Sequence, residues 1–551
     1  MTTTRSDGSS PSGAALSGAA LSGAALSGAA PSSAARSGAA PSGVQETRSS
    51  GGGSPGVLDA QPARGAGGVA SGSGRTGWFT ALLRRVHFFA GLLVGPFLLI
   101  AAVSGGLYAL TPTIEKAVYS HELTATSNLP GMPLADQIRA AEAYVGSGAA
   151  PVAVRPAPEP GATTRVMFAD ESLPESTTRA IFVDPATTQV RGDLPVYGTS
   201  GALPVRHWIS DLHRSLHVGA PGRWYSELAA SWLGIVALAG LGLWIGRFVR
   251  SRRGRRDLLR PNRGHRGYRR LSGWHSAVGI WVVLGALFLS ATGITWSTFA
   301  GAHVTDLRAA IGGATPSLDT SLDGTATAGG AHADHGGAAP GQPTGAANPA
   351  TFDAVLAIAK RINVNTGDVE IRPPSAPGTA WVVQEIHRSF PTEVDAVAID
   401  GSTMQVVDRV DFADFPLLAK LSRWGIDLHM GSMFGLVNQL ALFALAVGIA
   451  ALVVLGYAMW WKRRPTRGVA APPARGALRG APWWGVGAVV VVAVLIGWVL
   501  PMVGYPLAAF VVLDVLLGWR ARRRIDRPGR TPVEGVSAAT DASSPSRSLA
   551  R

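Results

Sequence analysis

Residues 207–248, HWISDLHRSLHVGAPGRWYSELAASWLGIVALAGLGLWIGRF, carry the features on which the fold prediction depends. The apolar run from Leu228 to Phe248 is long enough to cross a bilayer, which needs about 20 apolar residues. His213 and His217 lie just before this run. If the helix begins early, both side chains share one face, because positions i and i+4 are neighbours on a helix. The stretch therefore predicts histidine where a membrane helix meets water.

The same placement recurs at three other apolar runs. His87 stands at the start of the run that ends at Leu110, and His275 at the start of the run that ends at Trp296. His429 precedes the run that ends at Trp461. Four long predicted helices thus each carry a histidine near one end, which favours a common role for the four.

The composition is typical of a membrane protein. Only 15% of the 551 residues are charged, and the mean hydropathy is +0.21. The net charge of +14 comes mostly from arginines beside the apolar runs. The positive-inside rule accounts for that placement, so we predict no nucleic-acid binding. Cysteine is absent, which excludes disulfides, thiolate metal sites, iron–sulfur clusters and covalent haem attachment.

The arginine clusters predict six crossings of a bacterial cytoplasmic membrane, with both termini inside. A basic cytoplasmic loop is predicted at 249–270. The tails 1–75 and 520–551 bury too little apolar area to offset their ordering entropy, and we expect them to be disordered. Asp514 is an intramembrane carboxyl group, which is a candidate for function. The predicted spans are 78–110, 226–248, 271–296, 433–461, 481–500 and 505–519.

The regions 111–206 and 297–425 are predicted to lie outside the membrane. Each contains a helix followed by strands, which indicates two copies of one small α+β module. A linker at Gly312–Ala350 is predicted to be disordered, and it carries His332 and His335 as weak candidate metal ligands. The predicted helices are 134–145 and 352–362, and the predicted strands are 164–168, 179–183, 189–190, 369–371, 380–386, 394–399 and 404–408.

This topology sorts the histidines by depth. His87 and His275 begin outward-going helices near the inner surface, while His213 (with His217) and His429 precede inward-going helices near the outer surface. Two histidines near each surface predict two bis-imidazole haem sites, one above the other across the bilayer, since ligands on separate helices can bind the two faces of one macrocycle. The arginines predicted to meet haem propionates are Arg84, Arg85, Arg214, Arg223, Arg269 and Arg270.

Other interpretations of the histidines remain open. Histidines at an interface can simply hydrogen-bond headgroups or backbone. His213 and His217 can belong to a zinc site, although no third ligand is obvious nearby. The string Gly72–Gly77 matches GxGxxG but follows no strand, so no dinucleotide fold is predicted. The histidines without a clear partner are treated as surface residues: His121, His207, His265, His303 and His387.

Several longer motifs resemble the PepSY-associated transmembrane family, which includes iron-regulated inner-membrane proteins of the ferrisiderophore reductase type. The matching segments are VHFFAGLLVGPFLLIAAVSGGLYAL, DLHRSLHVGAPGRW, WHSAVGIWVVLGALFLSATG and DLHMGSMFGLVNQLALFALAVG, the last followed by WWKRR. IFVDPATTQVRG and AVAIDGSTMQVVD resemble the ends of PepSY modules. The resemblance covers about residues 78–465. His87, His213, His275 and His429 fall on the family's histidine positions, whereas His217 stands where an aliphatic residue is usual.

The resemblance implies a multi-pass α-helical membrane protein with a four-helix haem-binding core, a C-terminal helical hairpin and two α+β extracytoplasmic PepSY-like modules. It also implies two haem b groups and electron transfer outward to ferric iron in a chelate. A quinol or a separate reductase would be the donor. One alternative is a non-enzymatic protein that binds a peptide, peptidase or partner outside. Another is a metal or siderophore permease. A permease is expected to have polar or broken helices near mid-membrane, whereas the first four predicted helices are apolar there.

Overall fold

The computed structural model describes residues 77–146, 148–251, 258–261, 264–323, 347–464, 473 and 476–525. The predicted tail 1–75, most of the tail 520–551, His332, His335 and most of the Gly72–Gly77 string lie outside the described residues. The α-helices are α1 Trp78–Leu93, α2 Gly95–Ala109, α3 Thr111–Val118, α4 Ser120–Leu123, α5 Leu134–Val145, α6 Pro204–Ser215, α7 Ala220–Arg250, α8 Gly267–Thr295, α9 Phe299–Ala310, α10 Pro349–Ile362, α11 Leu417–His429, α12 Gly435–Lys462, α13 Trp483–Val499 and α14 Pro501–Ile525.

The membrane part of the protein consists of long apolar helices. Helices α7, α8, α12 and α14 are each long and apolar enough to cross a bilayer, and α1 with α2 form a bent pair that makes a fifth span if counted as one. Helix α13 has 17 residues, at the short end of what a span needs. The chain is therefore a multi-pass membrane protein, and the six predicted segments all appear as helices.

The first predicted span, 78–110, is not one straight helix, because α1 and α2 meet at an angle of 63°. Pro96 has no backbone N–H to donate to the carbonyl of Leu92, so the helix breaks there. The Tyr457 hydroxyl donates a hydrogen bond of 2.6 Å to that carbonyl, which keeps it paired inside the apolar layer. A side chain at Gly95 would meet the Tyr457 ring, so glycine admits this contact.

The two predicted outer modules form one continuous antiparallel sheet. The strand order is β4-β3-β2-β1-β5-β6-β7-β8, so each module contributes four strands and the join is β1 against β5. Helices α5 and α10 cover one face and share a single apolar core with the strands. The strands are β1 Pro151–Arg155, β2 Thr164–Phe168, β3 Thr177–Val183, β4 Val190–Tyr197, β5 Val369–Arg372, β6 Trp381–Glu385, β7 Ala396–Ile399 and β8 Val406–Val410.

The central strand β1 is absent from the sequence prediction, although the structure places it at the join. Its five residues are all buried, so it lacks the alternation of apolar and polar residues that marks a half-buried strand. The strand is also short and follows a glycine- and alanine-rich turn, so the sequence gives no other indication of it. The prediction of two separate modules is therefore corrected to one sheet built from two halves.

An ion pair crosses the join. Arg155 on β1 donates a hydrogen bond of 2.7 Å from Nε to Oε2 of Glu370 on β5, and Arg372 pairs with the other oxygen. Burial raises the pKa of Glu370, but the charges of Arg155 and Arg372 outweigh it and hold that pKa at about 2. Because the pKa in the folded state is lowered, the pair stabilises the fold above the usual carboxyl pKa, and this contribution falls as pH drops toward 2.

Glu370→Gln is expected to destabilise the sheet by about 3–5 kcal/mol, because it leaves buried arginines without their counter-charge. The wild type should melt at lower temperature as pH falls from about 4.5 toward 2, while the variant should lose most of that acid dependence. Thermal unfolding of purified protein across this pH range measures both. Glu171→Gln, at an exposed position, is the control. Equal melting curves for Glu370→Gln and wild type would contradict the role of this pair.

The membrane helices repeat as well. The same number of residues separates His87 from Ser104 as separates His275 from Thr292, and the two segments are α1–α2 and α8. Both α6 and α11 carry the tripeptide Asp-Leu-His in their last turn, ending at His213 and His429. Each half of the chain therefore runs from a membrane helix through a four-strand module and a short helix into a second membrane helix.

The C-terminal hairpin α13–α14 packs on α1 and α7. Asp514, for which the sequence offered no partner, lies 3.1 Å from the Arg85 guanidinium. The indole N–H of Trp232 donates to the carbonyl of Met502 at 3.0 Å, and Val503 is buried in the same apolar cluster. Arg85 is therefore engaged with the hairpin, and its predicted role as a propionate partner stays a prediction.

Candidate functional site

The four predicted histidines form two pairs at opposite ends of the helix bundle. We call the end of the bundle that leads into the sheet the sheet end. The opposite end is called the basic end, because α7 and α12 end there and α8 begins there among arginine and lysine residues. His87 on α1 and His275 on α8 lie at the basic end, and their ring centres are 6.0 Å apart. His213 on α6 and His429 on α11 lie at the sheet end, close enough to interact electrostatically.

The spacing at the basic end suits two ligands on one metal. A metal–imidazole bond is about 2 Å long and the ring centre lies about 1 Å beyond the nitrogen, so opposed ligands place their ring centres about 6 Å apart. His87 and His275 match this distance, with ring planes inclined by 78°. One histidine of this pair comes from each half of the chain, and the same holds for His213 and His429.

Hydrogen bonds at Nδ1 orient three of the four rings. The Nδ1 of His87 lies 2.9 Å from the carbonyl oxygen of Val236, which can only accept, so this nitrogen carries the proton. His213 Nδ1 lies 3.0 Å from the Ser104 hydroxyl, and His429 Nδ1 lies 2.6 Å from the Thr292 hydroxyl. Nδ1 donation leaves Nε2 with its lone pair, which is the state of a metal-ligating histidine.

The two hydroxyl groups act alike at equivalent positions of the repeat. Ser104 Oγ donates to the carbonyl of Ile100 at 2.7 Å, and Thr292 Oγ1 donates to that of Phe288 at 2.8 Å. Each hydroxyl hydrogen is thus used within its own helix, so each oxygen accepts from the histidine. His275 differs, because among the described residues its buried Nδ1 makes no hydrogen bond.

Glycines let two of the rings lie directly against a neighbouring helix. A Cβ atom at Gly105 would stand 2.9 Å from Cε1 of His213, and one at Gly240 would stand 2.9 Å from Cε1 of His87. Both distances are shorter than a side chain tolerates. Glycine at these two positions therefore permits close approach at the imidazoles themselves.

His217 is not part of the sheet-end pair. The helix that was expected to carry both His213 and His217 stops at Ser215, because Leu216 and His217 adopt left-handed conformations with φ of 53° and 57°. Gly219 and Pro221 then start α7. His217 is consequently exposed, with its ring 4.9 Å from that of Trp208, and the shared helical face predicted for the two histidines is wrong.

The model of the PepSY-associated TM region matches residues 84–463, more than half of the chain. This is a PepSY-associated TM protein. No curated protein matches the chain. The matched range contains all four paired histidines and the sheet, whereas the hairpin α13–α14 lies beyond it. The family predicted from the motifs is confirmed, and its ferrisiderophore reductase type stays a prediction.

At the sheet end, the PepSY-associated TM protein holds half-buried arginines that the sequence prediction missed. Arg206 lies 3.5 Å from Glu115, and Arg423 lies 3.0 Å from Asp427, two residues before His429. Arg388 reaches the same carboxylate at 3.8 Å. Burial, followed by repulsion from Arg423, lowers the pKa of Arg388 to about 10. Three guanidinium groups therefore share two carboxylates just outside the imidazole pair.

The other arginines that were predicted to meet haem propionates lie in different surroundings. Arg223 donates to the carbonyl of Trp296 at 3.5 Å, and the Trp296 ring lies 5.7 Å from that of His429. Arg214 instead pairs with Asp211 and Tyr197. At the basic end, Arg270 lines a cavity of about 480 Å³, while Arg84 and Arg269 are exposed. The other residues lining that cavity are Arg266, Gly267, Leu271, Trp274, Leu455 and Lys462.

Some histidines that were treated as surface residues have partners. His303 Nδ1 lies 3.1 Å from the Val499 carbonyl, and its ring stacks on Trp498. His387 pairs with Asp368 at 2.8 Å. His207 lies 3.5 Å from Asp211, its neighbour one helical turn later. These contacts join residues that are distant in sequence or lie on a helix that the prediction lacked.

Proposed function

We propose that each imidazole pair holds one haem b, and that the protein carries electrons across a bacterial cytoplasmic membrane to ferric iron in an external chelate. The observation that supports this most is the fixed Nδ1 proton at His87, His213 and His429, which leaves Nε2 available in each case. Haem, when bound, supplies reversible one-electron chemistry that these side chains lack.

A bare metal ion fits these pairs less well than a macrocycle does. Zinc and similar ions need about four ligands, of which proteins supply at least three. Among the described residues, the group of three or more ligating side chains that come close together is Glu385, Glu393 and Asp395, which includes none of the four histidines. Two imidazoles per site match haem, because the porphyrin itself supplies the remaining four nitrogen ligands.

The charges at both ends support the same assignment. Burial, followed by repulsion from Arg423, lowers the pKa of Arg388, and an anion beside this guanidinium would oppose both effects. Arg206, Arg388 and Arg423 would pair with haem propionates at the sheet end. Arg266, Arg270 and Lys462, which line the cavity near Trp274 and Leu271, would do so at the basic end.

Two sites at different depths explain why the protein spans a membrane. A charged carrier crosses the apolar layer only at high cost, whereas two sites in series shorten each step. By the positive-inside rule, the basic end faces the cytoplasm and the sheet faces outward. No nicotinamide or flavin motif is evident in the sequence, so we expect a quinol or a separate reductase as donor. The break at Pro96 is closed by Tyr457, so it gives the permease alternative little support.

Electron transfer across sealed vesicles tests this function. Protein reconstituted with the basic end inward should reduce an external ferric chelate when a membrane-permeable quinol is supplied, and the reduced α and β bands of low-spin haem should appear before ferrous iron accumulates. The same vesicles without protein are the control. Haem-replete protein that is reduced by quinol but transfers no electrons to any external ferric chelate would contradict the proposed direction.

A further inference from the structure

A cleft of about 250 Å³ lies on the outer side of α6, between this helix and the edge of the sheet. Its walls carry flat rings: His207 stacks on Tyr197 at 4.2 Å with planes 21° apart, and Trp208 lies against His217. Trp208 is 57% exposed, which makes its face available from outside. The other lining residues are Thr177, Pro195, Pro204 and Asp211.

Two buried polar atoms in the cleft walls lack a partner. Among the described residues, neither His207 Nδ1 nor the Thr177 hydroxyl makes a hydrogen bond, although both atoms are removed from solvent. Buried polar groups are normally paired, so both atoms would gain a partner if a polar ligand entered the cleft and these side chains turned toward it. Burial also lowers the pKa of His207 more than Asp211 raises it, which keeps the imidazole neutral and able to accept or donate.

The cleft and the sheet-end imidazole pair lie on the same short helix. His207 and Asp211 face the cleft, while His213 faces Ser104 in the bundle. The rise between His207 and His213 is about 9 Å along the helix axis. A molecule in the cleft is therefore separated from the electron-carrying site by little more than the thickness of α6.

We propose that this cleft binds one planar chelating arm of the ferric acceptor. The inference rests on the proposed function and adds where the acceptor docks and what it must present. At about 250 Å³ the cleft is smaller than the roughly 300 Å³ of the smallest usual ligand pockets, so it admits one arm and not a whole chelate. A flat conjugated group stacks on the exposed Trp208, and its oxygens pair with His207 and Thr177 once these side chains turn into the cleft.

Hydroxamates and catecholates both present such planar oxygen chelates, and the assay separates them. The reaction adds one electron to Fe(III) to give Fe(II), with no bond made to the protein. Reduction kinetics are measured in reconstituted vesicles with ferric acetohydroxamate, with the ferric complex of 2,3-dihydroxybenzoate, and with ferricyanide. Ferricyanide has no planar arm and accepts electrons without entering the cleft, so it reports the electron supply alone.

Trp208→Leu and His217→Ala are expected to raise the KM for at least one planar chelate about tenfold while leaving kcat, the ferricyanide rate and the haem spectrum unchanged. The chelate that responds identifies the arm. His121→Ala, an exposed histidine on the outer side of the protein, should change nothing. An unchanged KM for both chelates in both variants, with haem intact, would overturn the docking site and leave the electron-carrying function standing. Absence of haem from the wild type would instead refute the function itself.

Discussion

His429→Ala is expected to remove the haem signal of the sheet end and to leave that of the basic end intact. The variant would lack one of the two imidazoles proposed to hold this haem, so the haem would dissociate or its spectrum would change. His87 and His275 are held by other helices and should keep their site. Reduction of an external ferric chelate should fall to the background rate, because the sites act in series. Low-temperature absorption spectra and the vesicle assay measure the two effects.

His275→Ala provides the matched comparison at the basic end. The variant should abolish electron transfer to the external chelate as His429→Ala does, but transfer should stop at a different point in the sequence of haems. With the sheet-end site lost, quinol still reduces the basic-end haem. With the basic-end site lost, the sheet-end haem should stay oxidised when the reductant is enclosed in the vesicles and cannot cross the membrane, until a reductant is added from outside. His217→Ala, at an exposed position, should leave both spectra unchanged. Loss of the sheet-end signal in His217→Ala but not in His213→Ala would contradict the assignment.

Gly240→Val is expected to abolish the basic-end site although it replaces no ligand. Any Cβ at this position stands 2.9 Å from Cε1 of His87, and the backbone of α7 cannot move away without disturbing the carbonyl of Val236 that holds Nδ1. The ring must therefore turn, which changes its position relative to His275. We expect haem content to fall by about half, with the remaining signal that of the sheet end.

Gly487→Val is the control for this substitution. Gly487 lies on the apolar helix α13, is exposed and has open space around its Cα, so valine there tests the general effect of a branched residue in a membrane helix. Haem content and spectrum should match the wild type. A Gly240→Val protein with both haems intact would show that close packing at His87 is not required.

The sequence predicts the pairing of the histidines but not their support. Arginine clusters fix which end of each helix faces which side, and that alone pairs His87 with His275 and His213 with His429. The hydroxyl partners could have been found from the repeat, since Ser104 and Thr292 stand at equal distances after His87 and His275. Finding this correspondence requires the first half of the chain to be aligned with the second.

Other features depend on contacts that no local pattern reveals. Strand β1 is buried on both faces and too short to be recognised, yet it joins the two modules. The short helices α6 and α11 follow strands directly and were not predicted, so the break after Ser215 that separates His213 from His217 was missed. Arg388 lies near His429 only because the connection between β6 and β7 folds onto the end of α11.

The haem content of the purified protein tests the central claim most directly. Pyridine haemochrome analysis, set against protein concentration from quantitative amino-acid analysis, gives the ratio of haem to chain after expression with ample haem. Two imidazole pairs predict a ratio close to two, with both haems low-spin and six-coordinate. A reproducible ratio near zero would contradict the account.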